Sequence, residues 1–234
     1  MKVAHFHFDD GLAALLAEQR RKQALEYGFT GPQSAKHLIE SLGIPHTEIG
    51  SLQVNGESVD SDYQVGDGDE VTVRVSFQPA DAPAEPRFFL DCHLGRLAAH
   101  LRMLGLDCSY WSAARDLELA TTAVTEARVL LTRDRRLLMR KIITDGYLVR
   151  NLEPHDQLRE VVDRYRLRAW IKPFRRCIRC NHLLEPARKA DILDRLEPLT
   201  RKYFDQFRIC PACGQIYWKG SHFEKMTHLI AALH

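Results

Sequence analysis

Two sets of residues in this 234-residue chain could do chemistry. The first is sulfur. "CIRC" supplies Cys177 and Cys180, and "CPAC", followed by Gly214, supplies Cys210 and Cys213. Each CxxC turn can offer two thiolates to one tetrahedral ion, and a glycine suits the tight backbone of such a knuckle. Zn²⁺ is the expected ion, although iron also accepts four thiolates. A four-thiolate site leaves no open position, so its role would be structural.

The second set is carboxylate. Asp91 follows the apolar run "RFFL", Asp134 follows "VLLT", and Asp116 opens a stretch with helical spacing. In an open parallel sheet, residues just past the C-terminal ends of the strands collect in one crevice. Three carboxylates gathered there would repel one another unless a hard divalent cation such as Mg²⁺ or Mn²⁺ held them. Taken alone, each aspartate suits a turn or a helix N-cap at least as well. Spacing by itself does not decide between these readings.

The elements that must position the carboxylates alternate from Arg87 onward. "RFFLD" is a short apolar strand, and "HLGRLAAHLRMLG" puts Leu94, Leu97, Leu101 and Leu104 on one helical face, with Gly105 as a stop. A strand at "LDCSYW", a helix from Asp116, the strand "RVLLT", a helix after Asp134, the strand "GYLVR" and the helix "HDQLREVVDRYRL" follow. Such alternation predicts an α/β fold, a parallel sheet flanked by helices. Between the two CxxC pairs, "EPARKADILDRLEPLTRKYFDQF" is predicted to be a helical insertion. Cys92 and Cys108 are expected to be small buried residues.

The N-terminal part has a different grammar. "KVAHFHF" alternates, "SAKHLIESLGI" has helical spacing, "LQVNGESV" holds an Asn-Gly hairpin signal, and "GDGDEVTVRV" alternates again. His5 and His7 are expected on an exposed strand face rather than as ligands. "VSFQPADAPAEPRFF" is rich in proline and alanine and suits a linker. The expected boundaries are 1–78, a linker at 79–86, then 87–168 and 169–234.

Residues 1–78 resemble the ubiquitin-like β-grasp domains of the sulfur-carrier type, whose last hairpin reads much like "VNGESVDSDYQVGDGDEV". Carriers need a free Gly-Gly tail, whereas this strand runs on into "SFQPADAP". The resemblance therefore implies a binding or positioning module, with a protein partner. "RFFLDCHLGRLAAHLRMLGLD", "RDLELA" and "ARVLLTRDRRLL", with "YWKGSH" further on, resemble the PIN-type nucleases, specifically the C-terminal RNase domain of Mut-seven proteins. That resemblance implies a PIN-like fold and a metal-dependent ribonuclease in which Asp91, Asp116 and Asp134 bind Mg²⁺ or Mn²⁺ and carry catalysis. It also implies that Thr132 supports the Asp134 loop, with Glu118 a reserve ligand. The wider pattern has a further acidic residue after the "TRD"-like segment. Here Arg135, Arg136 and Leu137 stand in that place, so a second metal would be weakly held, brought by substrate, or absent.

Charge is distributed unevenly. Residues 1–80 carry 6 Lys and Arg against 12 Asp and Glu, and residues 169–234 carry 12 against 6. Basic residues near the cysteines, with Phe174, Tyr217 and Trp218 among them, suit single-stranded RNA, or the aromatics pack a small zinc core. Arg96, Arg133, Arg135 and Lys219 are the candidate phosphate contacts. The sequence shows no apolar run of membrane-spanning length and no leader at Met1, so a cytoplasmic protein without a membrane partner is expected. Two rival functions stand beside the nuclease: a non-catalytic RNA-binding or ribosome-associated factor, and a protein-interaction adaptor.

Overall fold

A computed structural model describes residues 1–21, 24–75, 84–231 and 233, with residues 221, 222, 224, 225 and 228 described by their backbone alone. Residues 79–83 of the expected linker lie outside the described residues. The chain forms two compact units that interleave along the sequence. One comprises residues 1–79 and 115–148, the other 80–114 and 149–234.

The first unit begins with β1 (Lys2–Phe8), the short helix α1 (Asp10–Ala13), β2 (Leu25–Phe29) and α2 (Ala35–Ser41). β3 (Ile49–Val54), β4 (Glu57–Val59) and β5 (Glu70–Val75) complete a five-stranded sheet in the order β2-β1-β5-β3-β4. β1 and β5 run parallel and the other neighbours antiparallel, which is the β-grasp arrangement. Period-two alternation buries Ala4, Phe6, Val71 and Val73 on one face. Asn55 and Gly56, both at positive φ, make the tight turn between β3 and β4, as the Asn-Gly pair predicts. Ser34 caps α2 by accepting the His37 N–H. His7 meets Glu70 at 2.6 Å on the partly exposed face, so it is engaged as a strand residue.

This unit also contains the helix α4 (Asp116–Thr125), the strand β8 (Val129–Thr132), the single-turn helix α5 (Arg135–Leu138) and β9 (Gly146–Leu148). To number the chain in order, the second unit holds β6 (Phe88–Leu90), α3 (Gly95–Met103) and β7 (Cys108–Tyr110) before them. β8 pairs with β9 and β6 with β7, both in parallel, with helices packed beside them. Every residue of β6, β8 and β9 is buried, which is why these strands read as unbroken apolar runs rather than alternating ones.

The β-grasp domain grips the second half of its own unit. Glu48, fully buried, accepts the Leu148 N–H at 2.7 Å. His46 places Nδ1 2.7 Å from Glu40 and Nε2 2.7 Å from the Ile143 carbonyl oxygen.

In the second unit, α3 buries Leu97 and Leu101 and packs on β7 and on α6 (Pro154–Arg164). Gly105 ends α3 at φ +89; a Cβ there would lie 2.1 Å from the Lys172 carbonyl oxygen, so only glycine fits. The cysteine module is a three-stranded antiparallel sheet: β10 (Glu185–Ala187), β11 (Phe207–Ile209) and β12 (Ile216–Trp218), with α7 (Pro198–Tyr203) between β10 and β11 and α8 (Ser221–Ala231) at the end. The predicted helical insertion is thus corrected. It opens with a strand, passes through 3-10 turns at 189–195, and only residues 198–203 are α-helical. Pro186 is tolerated because β10 is an edge strand paired only with β11.

Candidate functional site

The four thiols converge. Cys177 Sγ lies 3.5 Å from Cys213 Sγ, Cys180 Sγ lies 3.3 Å from Cys210 Sγ, and all four ligand atoms fall within 4.8 Å of one another. A tetrahedron with metal–sulfur bonds of about 2.3 Å needs sulfurs about 3.8 Å apart, so the quartet has the dimensions of a four-thiolate metal site. Among the described residues it is the only group of three or more His, Cys, Asp or Glu with that proximity. Gly214, at φ +71, makes the second knuckle, where its N–H donates to the Cys210 carbonyl.

The environment separates the thiols. Burial pushes Cys177 up, but hydrogen bonds from the Tyr217 hydroxyl, the Cys180 backbone and the neighbouring thiols bring it down to about 7. Burial pushes Cys180 up to about 12. Tyr217 Oη lies 3.1 Å from Cys177 Sγ and donates to or accepts from it, and also accepts the Ile178 N–H at 3.1 Å. Tyr217 therefore packs and orients the first knuckle, and Trp218 packs on Ile192, Leu196, Phe207 and Ile216. Of the two roles open to these aromatics, packing accounts for part of both.

The first knuckle is also tied to β7, by residues that no spacing rule flags. Arg102, buried on α3, donates to the carbonyls of Cys108, Ile178 and Arg179. Asp107 receives Arg176 at 3.0 Å and Asn181 Nδ2 at 2.9 Å, while Asn181 Oδ1 accepts the Cys108 N–H. The knuckle partners of Arg102, Asp107 and Cys108 lie 69 to 77 positions away, so no local pattern marks them.

Each aspartate already has a partner within the chain. Asp91, 3 % exposed at the end of β6, accepts the His93 N–H at 2.8 Å as an N-cap. Asp134, half-buried after β8, caps α5 through Oδ1, which accepts the Arg136 N–H at 2.8 Å. Its Oδ2 takes no hydrogen bond among the described residues. The buried Thr132 hydroxyl accepts the Asp134 N–H at 2.8 Å and so fixes this loop, as expected of it. Asp116 is exposed at the start of α4 and pairs with Arg140 at 3.2 Å. Glu118 is already used: its carboxylate accepts the Arg115 N–H at the mouth of α4. Asp116 and Asp134 belong to the first compact unit and Asp91 to the second.

A family model described as the Mut7-C RNAse domain matches residues 86–230, and a second, described as Mut7-C ubiquitin, matches residues 1–81. The chain belongs to the Mut7-C RNase family. No curated protein and no solved structure matches it.

In this Mut7-C RNase chain the RNase match takes in all three aspartates and all four cysteines. Arg96, exposed on α3, and Arg135, half-buried on α5, form no ion pair among the described residues. Arg133 is exposed and has other partners. Lys219 is exposed, with Nζ 5.6 Å from the Phe223 ring centre. One expectation fails: Cys108 is buried, but Cys92 is exposed. In the 3-10 turn at 92–94, Leu94 takes the inward position and Cys92 faces out. Among the described residues no helix is long and apolar enough to cross a membrane.

Proposed function

We propose that this chain is a cytoplasmic, metal-dependent ribonuclease that hydrolyses phosphodiester bonds of single-stranded RNA, with Asp91, Asp116 and Asp134 as its acidic ligands and a structural Zn²⁺ on Cys177, Cys180, Cys210 and Cys213. The observation that carries this reading is the RNase-domain match across residues 86–230. The donor set suits the cation: hard carboxylate oxygens are what Mg²⁺ or Mn²⁺ takes, and Asp134 keeps one oxygen uncommitted. Bound there, such an ion would polarise a phosphate oxygen and acidify an attacking water.

The chain's own residues do the remaining work. Thr132 holds the Asp134 backbone, so the carboxylate leaves the strand end in one orientation. Arg96 and Arg135, free of carboxylate partners, and Arg133 offer planar two-donor contacts to phosphate. Arg140 holds Asp116 through Oδ2 and competes with a cation for that oxygen.

A non-catalytic RNA-binding factor is the second reading. It is favoured by the Asp116–Arg140 pair and by Arg135, Arg136 and Leu137 standing where a further acidic residue is usual. Single-turnover cleavage of labelled single-stranded RNA in Mn²⁺, Mg²⁺ or EDTA separates the two. The nuclease reading expects metal-dependent cutting that falls by at least about a hundredfold in Asp91→Asn and Asp134→Asn, with zinc content unchanged. Binding without cutting in any metal, or equal cutting by all three proteins, goes against it.

A further inference from the structure

Beside the cysteine quartet the second unit contains a cavity of about 410 Å³, within the range of small-ligand sites. Its walls are mostly apolar and flat: Phe174, Trp218 and Phe223, closed by Met103 on α3 and Met226 on α8. Phe174 and Phe223 meet edge to face, ring centres 4.9 Å apart, so they form a preset corner. Gly220 keeps the cavity open beside the indole, because a Cβ there would lie 2.8 Å from Trp218 Nε1.

Of the polar side chains lining this cavity, Gln215 and Tyr217 already have partners, and Trp218 and Arg176 are pure donors. Trp218 Nε1 has no hydrogen-bond partner among the described residues. Arg176 spends its terminal nitrogens on Asp107 and Asn181, while its Nε is buried without a partner. Lys219, between the lining residues Trp218 and Gly220, is exposed and forms no ion pair among the described residues. The surrounding segment, residues 169–234, carries 12 Lys and Arg against 6 Asp and Glu. Aromatic walls, N–H donors and a cation at the rim are complementary to a flat heterocycle with acceptor edges joined to a phosphate. A fatty chain would leave those donors unmet, and an acidic peptide has no flat group for the walls.

We propose that this cavity takes one unstacked nucleobase of single-stranded RNA, with Lys219 on an adjoining phosphate. The proposal rests on the ribonuclease reading for the identity of the polymer, but the base-binding site it names is lined by none of the three aspartates.

The test uses the full-length, zinc-loaded protein without added Mg²⁺ or Mn²⁺, and fluorescein-labelled RNA nonamers followed by anisotropy. An abasic site is walked through the oligonucleotide one position at a time. Loss of one base is expected to weaken binding by about 5- to 100-fold at one position. Phe223→Ala, which removes a wall, and Met103→Trp, which fills the space, are expected to bring intact RNA down to the abasic level. Neither variant should weaken the abasic RNA further, and zinc content measured in parallel shows that the module is folded. The proposal is overturned if no abasic position matters, if intact RNA is not bound, or if the variants weaken intact and abasic RNA alike. The cleavage assay separates the two readings. Base-dependent binding without cutting in any metal removes the nuclease reading and leaves the pocket; cutting without base dependence does the reverse.

Discussion

The cysteine quartet and the three aspartates are both candidate metal ligands, and they differ in how the chain builds them. Each pair of cysteines is separated by two residues, and one compact unit contains all four. Within each pair the spacing is set by one local turn, and the two turns, whose nearest thiols are 30 and 36 positions apart, meet inside one unit. The aspartates come from three distant segments divided between two compact units, and each also has other work: Asp91 and Asp134 cap the turns that follow them, and Asp116 holds Arg140. A site written in two local turns needs only those two turns to meet. A site written in strand ends depends on topology and on which of its ligands can be spared.

The largest effect should come from breaking the locally built site. Cys180→Ser is expected to drop bound zinc from about one equivalent to none and to unfold the module around residues 169–234, because metal binding of this kind amounts to about 10 kcal/mol or more of folding free energy. Metal analysis and limited proteolysis check this. The damage should reach β7, since Arg102, Asp107 and Asn181 tie the first knuckle to it. If zinc is absent from the wild type and the module still resists protease, the contrast drawn here fails.

How far the sequence could be read follows the same division. The turn at Asn55–Gly56, the buried face of α3 with Gly105 at its end, and the two CxxC pairs were legible because each is signalled by residues a few positions apart. β10 was not, because Glu185, Pro186 and Ala187 have no strand signature and are held only by pairing with β11 about twenty residues on. Arg102 was not legible either, because two of its three carbonyl partners come from the knuckle, 76 and 77 positions on. The carboxylates were recognisable as residues at strand ends and a helix start. The partners they have taken up were not, because Arg140 meets Asp116 across 24 positions of sequence.

Glu48→Ala should have the next largest effect, and it probes the topological side. The Glu48 carboxylate accepts the Leu148 N–H from 100 residues away, so truncation leaves a buried donor unmet. A loss of about 1–3 kcal/mol is expected, read as a fall in melting temperature of about 2–4 °C per kcal/mol. Zinc content should not change. Loss of zinc in this variant would show that the two regions are not independent in the way their construction suggests.

Arg140→Ala sharpens the comparison from the other side. The pair with Asp116 is half exposed, so its removal should change stability by less than about 1 kcal/mol. Taking away a competing cation should tighten Mn²⁺ binding, by less than about tenfold because the pair itself is worth so little. Isothermal titration with Mn²⁺ reads this directly. Weaker binding in the variant would mean that Arg140 positions Asp116 instead of competing for it.

The smallest effect lies on α3, the helix that follows Asp91. Burial holds the His100 imidazole below its ordinary value of 6.5, the charges of His155 and Arg96 lower it further, and the Pro154 carbonyl partly opposes them. The rings of His100 and His155 are 5.2 Å apart across α3 and α6. Because the folded pKa is depressed, the unfolded chain binds this proton more readily between the two values. The stabilising contribution is therefore complete above pH 6.5 and is lost as pH falls through the folded value. Thermal melts across that window should show wild type losing more stability than His100→Gln. Protons compete with any metal for the thiolates of the cysteine quartet as pH falls, so each melt needs a parallel zinc measurement. A difference between the two proteins that appears only where zinc has been released belongs to the cysteines, whereas one that precedes release belongs to the α3–α6 contact.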